Sequence, residues 1–152
     1  MSEAFNWPPL EGNPEIFLDY MSQCGLPDGW GFGEIYGFEE DLLGMVPTPV
    51  IAVIANMEIL DKTNSHPEAE ADYFMAQTGT LDNACGVIAC LHSVLNNLDK
   101  LNLHEGKILK NFYDQVHSKS ASERAAALEA NSEFQSVHKS FASQGQSAVS
   151  QN

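Results

Sequence analysis

The stretch that decides the fold is Gln77-Thr78-Gly79-Thr80-Leu81-Asp82-Asn83-Ala84-Cys85-Gly86-Val87-Ile88-Ala89-Cys90-Leu91-His92-Ser93-Val94-Leu95-Asn96-Asn97. It predicts a polar loop that enters a helix near Ala84. Asp82 or Asn83 is the predicted N-cap, because a short side-chain oxygen accepts an unpaired N–H of the first turn. The apolar residues that follow recur at helical spacing, without Asp, Glu, Lys or Arg among them. The pattern therefore predicts a helix that is buried nearly all round.

Cys85 falls in the first turn of this helix. A helix N-terminus carries about +0.5 of a charge, which favours the thiolate and lowers the pKa of a cysteine from about 8.5. Gly86 follows directly and leaves the approach to the sulfur free of a side chain. The local pattern thus predicts a nucleophile. The alternative, on this pattern alone, is that Cys85 is a small buried hydrophobe.

Length and composition bound the class of protein. A chain of 152 residues with 43% apolar content has the size of one globular domain. No signal peptide is recognised at the start, and the longest apolar run, Val50–Ala55, is too short to span a bilayer. Three cysteines without framework spacing favour free thiols in a reducing compartment. We therefore expect a soluble cytoplasmic protein that does not bind membranes.

The charge balance restricts the partners. Twenty-one acidic against seven basic residues give a formal charge of −14, which repels nucleic acid and favours a basic partner; the alternative is that the acids only solvate the surface. None of the five histidines pairs with another His or a Cys at metal-ligand spacing, so the sequence predicts no metal and no other cofactor. His92 lies two turns from Cys85, about 10 Å, too far to be its base.

Hydrophobic periodicity and capping residues predict the remaining elements. Further helices are predicted from Pro14 to about Gln23, over Glu39–Met45, from Gly106 to about His117, and from about Ser120 to about His138. Strands are predicted at Trp30–Gly37, which alternates with period two, and at the β-branched run Val50–Ala55. Asp61–Asp72 is predicted to be a surface segment or, alternatively, a weak helix.

Four motifs together resemble the ubiquitin C-terminal hydrolases, a family of papain-like cysteine deubiquitinases. They are Trp7–Pro14, Trp30–Gly37, Leu42–Val50 and Asn83–Asn97, in the family's order. The resemblance implies a knotted α/β fold in which helices flank a central, mostly antiparallel sheet, here truncated. It also implies that residues 1–139 are the N-terminal half of the catalytic domain, and that residues 140–152 begin a disordered crossover loop over the active site.

The resemblance also implies residue roles. Cys85 would attack the carbonyl of the last glycine of ubiquitin, or of a ubiquitin-like protein. Gln77 and the backbone N–H of Cys85 would stabilise the oxyanion, which needs preoriented donors. Gln77 precedes Cys85 by eight residues, two more than in the family, as if residues had been inserted within Gly79–Asp82. The expected ubiquitin-binding residues, which could instead be ordinary surface, are Pro9, Leu10, Glu11 and Glu34.

The family's base histidine and orienting aspartate follow the crossover loop, and the sequence stops at Asn152, within that loop. We therefore expect the 152-residue chain to be inactive alone and the missing C-terminal half to be a partner. The alternative is a ubiquitin-binding fragment without catalysis.

Overall fold

The computed structural model describes residues 5–56 and 70–142. Helices account for its regular structure: α1 (Pro14–Cys24), α2 (Glu40–Leu43), a 3-10 helix (Gly79–Asn83), α3 (Cys85–Leu95), α4 (Ile108–Val116), α5 (Ala121–Glu129) and α6 (Ser132–Ala142). None of the described helices is long and apolar enough to cross a membrane.

The helix that begins at Cys85, α3, lies in the core. Its residues on several faces are buried: Val87, Ile88, Cys90, Leu91, Val94 and Leu95. It packs against α1, which also contacts α4 and α6. The prediction of a helix buried nearly all round is confirmed, because a segment this apolar is stable only when other elements remove it from water.

Helix α1 has the predicted boundaries to within one residue. Asn13 Oδ1 accepts a hydrogen bond of 2.9 Å from the N–H of Glu15, and Pro14 occupies the first turn. The helix ends at Gly25, whose φ of 116° favours glycine. A Cβ at Gly25 would also lie 2.7 Å from Cβ of Lys107, so this position has no room for a side chain.

The second half of the chain differs from prediction in one helix. Helix α4 lies where expected, but the single helix predicted from Ser120 to His138 is wrong, because α5 and α6 are separate. Asn131 causes the break: its Oδ1 accepts a hydrogen bond of 2.9 Å from the N–H of Phe134 and so starts a new helix. Helix α6 continues past residue 140, where the crossover loop was expected to begin, and residues 143–152 lie outside the described part.

The two predicted strands are wrong. Neither Trp30–Gly37 nor Val50–Ala55 is a strand, and residues 5–56 and 70–142 contain no strand at all. A strand exists through hydrogen bonds to a neighbour, and the described residues offer neither segment such a partner. Their apolar side chains are correspondingly exposed, 69% at Tyr36 and 68% at Val53. The central sheet is therefore not confirmed.

Two other expectations are met only in part or not tested. Helix α2, Glu40–Leu43, is shorter than the predicted Glu39–Met45. Most of the predicted surface segment Asp61–Asp72 lies outside the described residues, and its last residues, 70–72, are exposed.

Arg124 of α5 joins three parts of the chain. Its guanidinium donates hydrogen bonds to the carbonyl oxygens of Val116 (3.0 Å) and His117 (2.6 Å), at the end of α4. A third bond, of 2.8 Å, reaches the carbonyl of Phe74, in the segment that leads toward Gln77. The guanidinium carbon also lies 4.5 Å from the centre of the Tyr73 ring. Arg124 therefore fixes this segment to α4 and α5.

We expect Arg124→Lys to lower the free energy of unfolding by about 2 kcal/mol, because an ammonium cannot reproduce three diverging bonds to carbonyls. Urea denaturation followed by circular dichroism measures the change. Lys110→Met is the matched control, since Lys110 forms an ion pair with Asp114 on the surface and its loss should cost less than about 0.5 kcal/mol. Equal effects of the two variants would contradict the role given to Arg124.

Candidate active site

Cys85 is the first residue of α3, and it is exposed. The predicted N-cap is wrong, because Ala84 holds that position and no side chain caps the helix. The 3-10 helix leads directly into α3 instead, with the N–H of Ala84 donating to the carbonyl of Leu81 at 2.9 Å. As a result, the Cys85 thiol stands at a helix N-terminus that no side chain caps.

The other two cysteines are chemically different. Cys24 and Cys90 are fully buried, and burial raises the pKa of each thiol to about 12. All three cysteines are free, and the Cys85 thiol forms no hydrogen bond with any residue in the described part of the chain. Of the three, only Cys85 is open to a reagent or substrate.

Gly86 has a different role from the predicted one. A Cβ at Gly86 would lie 3.3 Å from Cβ of Leu10 and 3.5 Å from the carbonyl oxygen of Leu10. The missing side chain therefore lets Leu10 pack tightly against the start of α3, rather than leaving that side of the site open. Leu10 is only 9% exposed and belongs to the core.

The expected ubiquitin-binding residues thus lie in two settings. Leu10 is buried beside Cys85, through its contact with Gly86. Pro9 and Glu11, on either side of Leu10, are exposed, and so is Glu34 in the irregular segment that follows α1.

Gln77 directly precedes Thr78 and the 3-10 helix, and both N–H groups of its side-chain amide have partners. Its Nε2 donates hydrogen bonds to the carbonyls of Leu81 (3.0 Å) and Asp82 (2.9 Å). An amide nitrogen has two hydrogens, so both are used within the 3-10 helix. Gly79 has a positive φ of 62°, and Leu81 is fully buried. Residues 79–82 therefore form a compact turn that Gln77 closes.

Two side chains hold the segment before Gln77: His92 of α3 and Asn96, which directly follows α3. Asn96 accepts from the N–H of Tyr73 at 2.8 Å and donates to its carbonyl at 2.9 Å. His92 Nε2 accepts from the N–H of Met75 at 3.1 Å, and burial lowers the pKa of this imidazole. The Asn96 amide bonds to the backbone N–H and carbonyl of Tyr73 as a neighbouring strand would. Any asparagine can do this, so the sequence alone did not predict this pair of bonds.

Comparison with known proteins supports the resemblance. The model of the family "Ubiquitin carboxyl-terminal hydrolase, family 1" matches residues 7–152. A probable ubiquitin carboxyl-terminal hydrolase of Dictyostelium discoideum is 40% identical over 162 residues, covering 96% of this chain and 62% of the relative. Ubiquitin carboxyl-terminal hydrolase isozyme L1 of Monodelphis domestica is 33% identical over 152 residues, covering 93% of this chain and 67% of the relative.

A solved structure supports the fold. The crystal structure of Trichinella spiralis UCH37 bound to ubiquitin vinyl methyl ester is similar to this chain with a TM-score of 0.51 and 23% sequence identity. The similarity covers 90% of this chain and 53% of that one. This chain thus spans 62% of the length of the Dictyostelium relative. From the family model and these relatives, the chain belongs to the ubiquitin carboxyl-terminal hydrolase family.

Proposed function

We propose that this chain contributes the nucleophile for hydrolysis of adducts at the C-terminal glycine of ubiquitin, and that the nucleophile is Cys85. One observation carries the proposal. In a chain of this family, Cys85 is the exposed cysteine at the uncapped N-terminus of a buried helix, while the other two cysteines are buried. A thiolate at such a position is suited to attack a carbonyl carbon.

Attack on the carbonyl places negative charge on its oxygen, which must meet hydrogen-bond donors. The backbone N–H of Cys85 is the first donor that we propose, because it lies at the helix start. Gln77 is the second. Its amide must first exchange one of its bonds, to Leu81 or Asp82, for the bond to the oxyanion. The exposed position of Gln77, ahead of the 3-10 helix, leaves room for such an exchange.

Hydrolysis also needs a base for the thiol and an acid for the leaving group. Two histidines of this chain already have hydrogen-bond partners. His92 bonds to Met75, and His138 bonds to Pro8 and Tyr20. We therefore propose that neither His92 nor His138 is the base, and that the base histidine and its orienting aspartate are not among these 152 residues. By this proposal the 152-residue chain alone turns over little substrate.

Ubiquitin is the partner that we propose. The Trichinella spiralis protein is bound to a ubiquitin derivative in its structure. Exposed Glu11 and Glu34, in a chain of charge −14, would attract the basic C-terminal tail of ubiquitin, with exposed Pro9 forming the adjoining contact and buried Leu10 supporting it from the core. The engagement of His92 and His138 also supports a second candidate function, binding of ubiquitin without catalysis. A cytoplasmic location remains a prediction, supported by three free cysteines.

Ubiquitin vinyl methyl ester should label this chain once, on Cys85, because the reagent needs only an accessible thiolate placed at the end of the ubiquitin tail. Mass spectrometry of the intact protein measures the adduct. We expect Cys85→Ala to abolish labelling and Cys90→Ala to preserve it. Labelling that persists in Cys85→Ala would refute the assignment of the nucleophile.

The proposal about the base is tested separately, with ubiquitin linked to a fluorophore. The chain alone should release little fluorophore. A fusion that appends the remaining part of the Dictyostelium discoideum relative should release it at a rate that Cys85→Ala abolishes. Turnover by the unfused chain that depends on Cys85 would show that the base lies within the 152 residues. A fusion that binds ubiquitin without turnover would favour the second candidate function, binding of ubiquitin without catalysis.

In that fusion, Gln77→Ala should lower kcat about 10²-fold, the usual loss for one oxyanion donor. Gln135→Ala is the matched control, because its amide also bonds to a backbone carbonyl, that of Glu129, on a different helix. A decrease in kcat of less than about threefold would leave Gln77 only the role of closing the 3-10 helix.

A further inference from the structure

His138 of α6 is a fully buried imidazole with a partner on each nitrogen. Its Nε2 lies 2.6 Å from the carbonyl oxygen of Pro8, and its Nδ1 lies 3.1 Å from the hydroxyl of Tyr20 on α1. A carbonyl oxygen only accepts, so Nε2 must carry the hydrogen. In the neutral ring Nδ1 then accepts from the Tyr20 hydroxyl. The neutral imidazole thus joins three elements that are far apart in sequence.

The N-terminal segment, residues 7–10, contacts His138 through Trp7 and Pro8. Trp7 is fully buried and packs edge-on against the His138 ring, with 5.0 Å between ring centres. The indole Nε1 is buried and has no hydrogen-bond partner in the described structure. Within the described residues, the side-chain hydrogen bond that holds residues 7–10 is the bond from His138 to Pro8, and the apolar packing of Trp7 and Leu10 adds to it.

The same segment ends at the candidate active site. Leu10, two residues after Pro8, packs against Gly86 so closely that a Cβ at position 86 would lie only 3.3 Å from Cβ of Leu10. Gly86 is the residue after Cys85. Loss of the bond at Pro8 would therefore loosen the residue that covers one side of the first turn of α3.

We propose that His138 is a positioning residue: its neutral imidazole fixes residues 7–10, and thereby Leu10 and the exposed Pro9, beside Cys85. The connection to catalysis rests on Cys85 being the nucleophile proposed above. The fixing of the segment itself does not depend on that assignment.

Protonation of His138 should release the segment. Burial lowers the pKa of His138 below its ordinary value of about 6.5. The titratable neighbours of His138 are neutral. Burial raises the pKa of Tyr20 above its ordinary value. Burial also raises the pKa of Cys24 and of Cys90, each to about 12. The negative charge of Glu133, also on α6, contributes to the raised pKa of Cys24.

The sign of the pH effect follows from this lowered pKa. Stability from neutral His138 is fully present above about pH 6.5, the ordinary histidine pKa, and is lost as the pH falls from there toward the lower folded pKa. The protonated ring would also present a second donor to Tyr20, which now donates to Nδ1.

Exchange of the Trp7 indole hydrogen with solvent measures release directly, because this hydrogen is buried and unpaired. NMR resolves the two tryptophan indole signals of this chain, and Trp30 serves as the internal control. We expect His138→Leu to raise the Trp7 exchange rate about tenfold, the effect of losing two buried hydrogen bonds, without changing the rate at Trp30. We expect His138→Gln, which offers a donor and an acceptor at similar separation, to stay near the parent at about pH 7.

Acidification separates positioning from mere packing. Between about pH 7 and pH 5, exchange at Trp7 should increase several-fold more in the parent than in His138→Gln, because an amide does not titrate. In His138→Leu, labelling of Cys85 by ubiquitin vinyl methyl ester should slow several-fold, while alkylation by the small reagent iodoacetamide stays unchanged.

Equal Trp7 exchange in the parent and His138→Leu, or equal acid responses of the parent and His138→Gln, would overturn the proposal. If His138→Leu does not fold, Tyr20→Phe replaces it, and an unchanged Trp7 exchange rate then counts against the proposal. If no variant reacts with ubiquitin vinyl methyl ester, the proposed function fails, but the exchange measurements still decide whether His138 fixes the segment.

Discussion

The burial of α3 is the constraint on which the rest of the described structure depends. A helix with Val87, Ile88, Leu91, Val94 and Leu95 all buried must be covered on several sides, and α1 packs directly against it. Gly86, Ala89, His92 and Ser93 are partly buried, and only the first residue of α3, Cys85, is exposed. The requirement that stabilises the fold therefore also brings the one accessible cysteine to the surface.

The helices could be predicted because their signals are local. The caps at Asn13 and Gly25 and the apolar period of α3 each depend on residues within a turn or two of one another. The strand at Val50–Ala55 was predicted wrongly because a strand needs a neighbour, which sequence alone does not supply. The break at Asn131 was missed because the high helix propensity of α5 concealed a capping residue.

The candidate site was predictable to a similar extent. A cysteine at a helix start is a local pattern, and Cys85 lies where it was expected. The bonds of Gln77 to its own turn, the packing of Leu10 on Gly86 and the joining of Pro8 to Tyr20 by His138 were not predicted. Each depends on how separate elements meet, and for His138 and Pro8 the two partners are 130 residues apart. Scattered histidines offer no pattern until the fold brings their partners together.

Alkylation of the native chain tests most directly whether the sides of α3 are buried while its first residue, Cys85, is exposed. The protein is treated with iodoacetamide without denaturant, and peptide mass spectrometry gives the rate at each cysteine. The account predicts that Cys85 is modified while Cys24 and Cys90 remain thiols, since both are buried and burial raises the pKa of each to about 12. Modification of Cys90 at a rate comparable to that of Cys85 would contradict it, because Cys90 reacts only if α3 leaves the core.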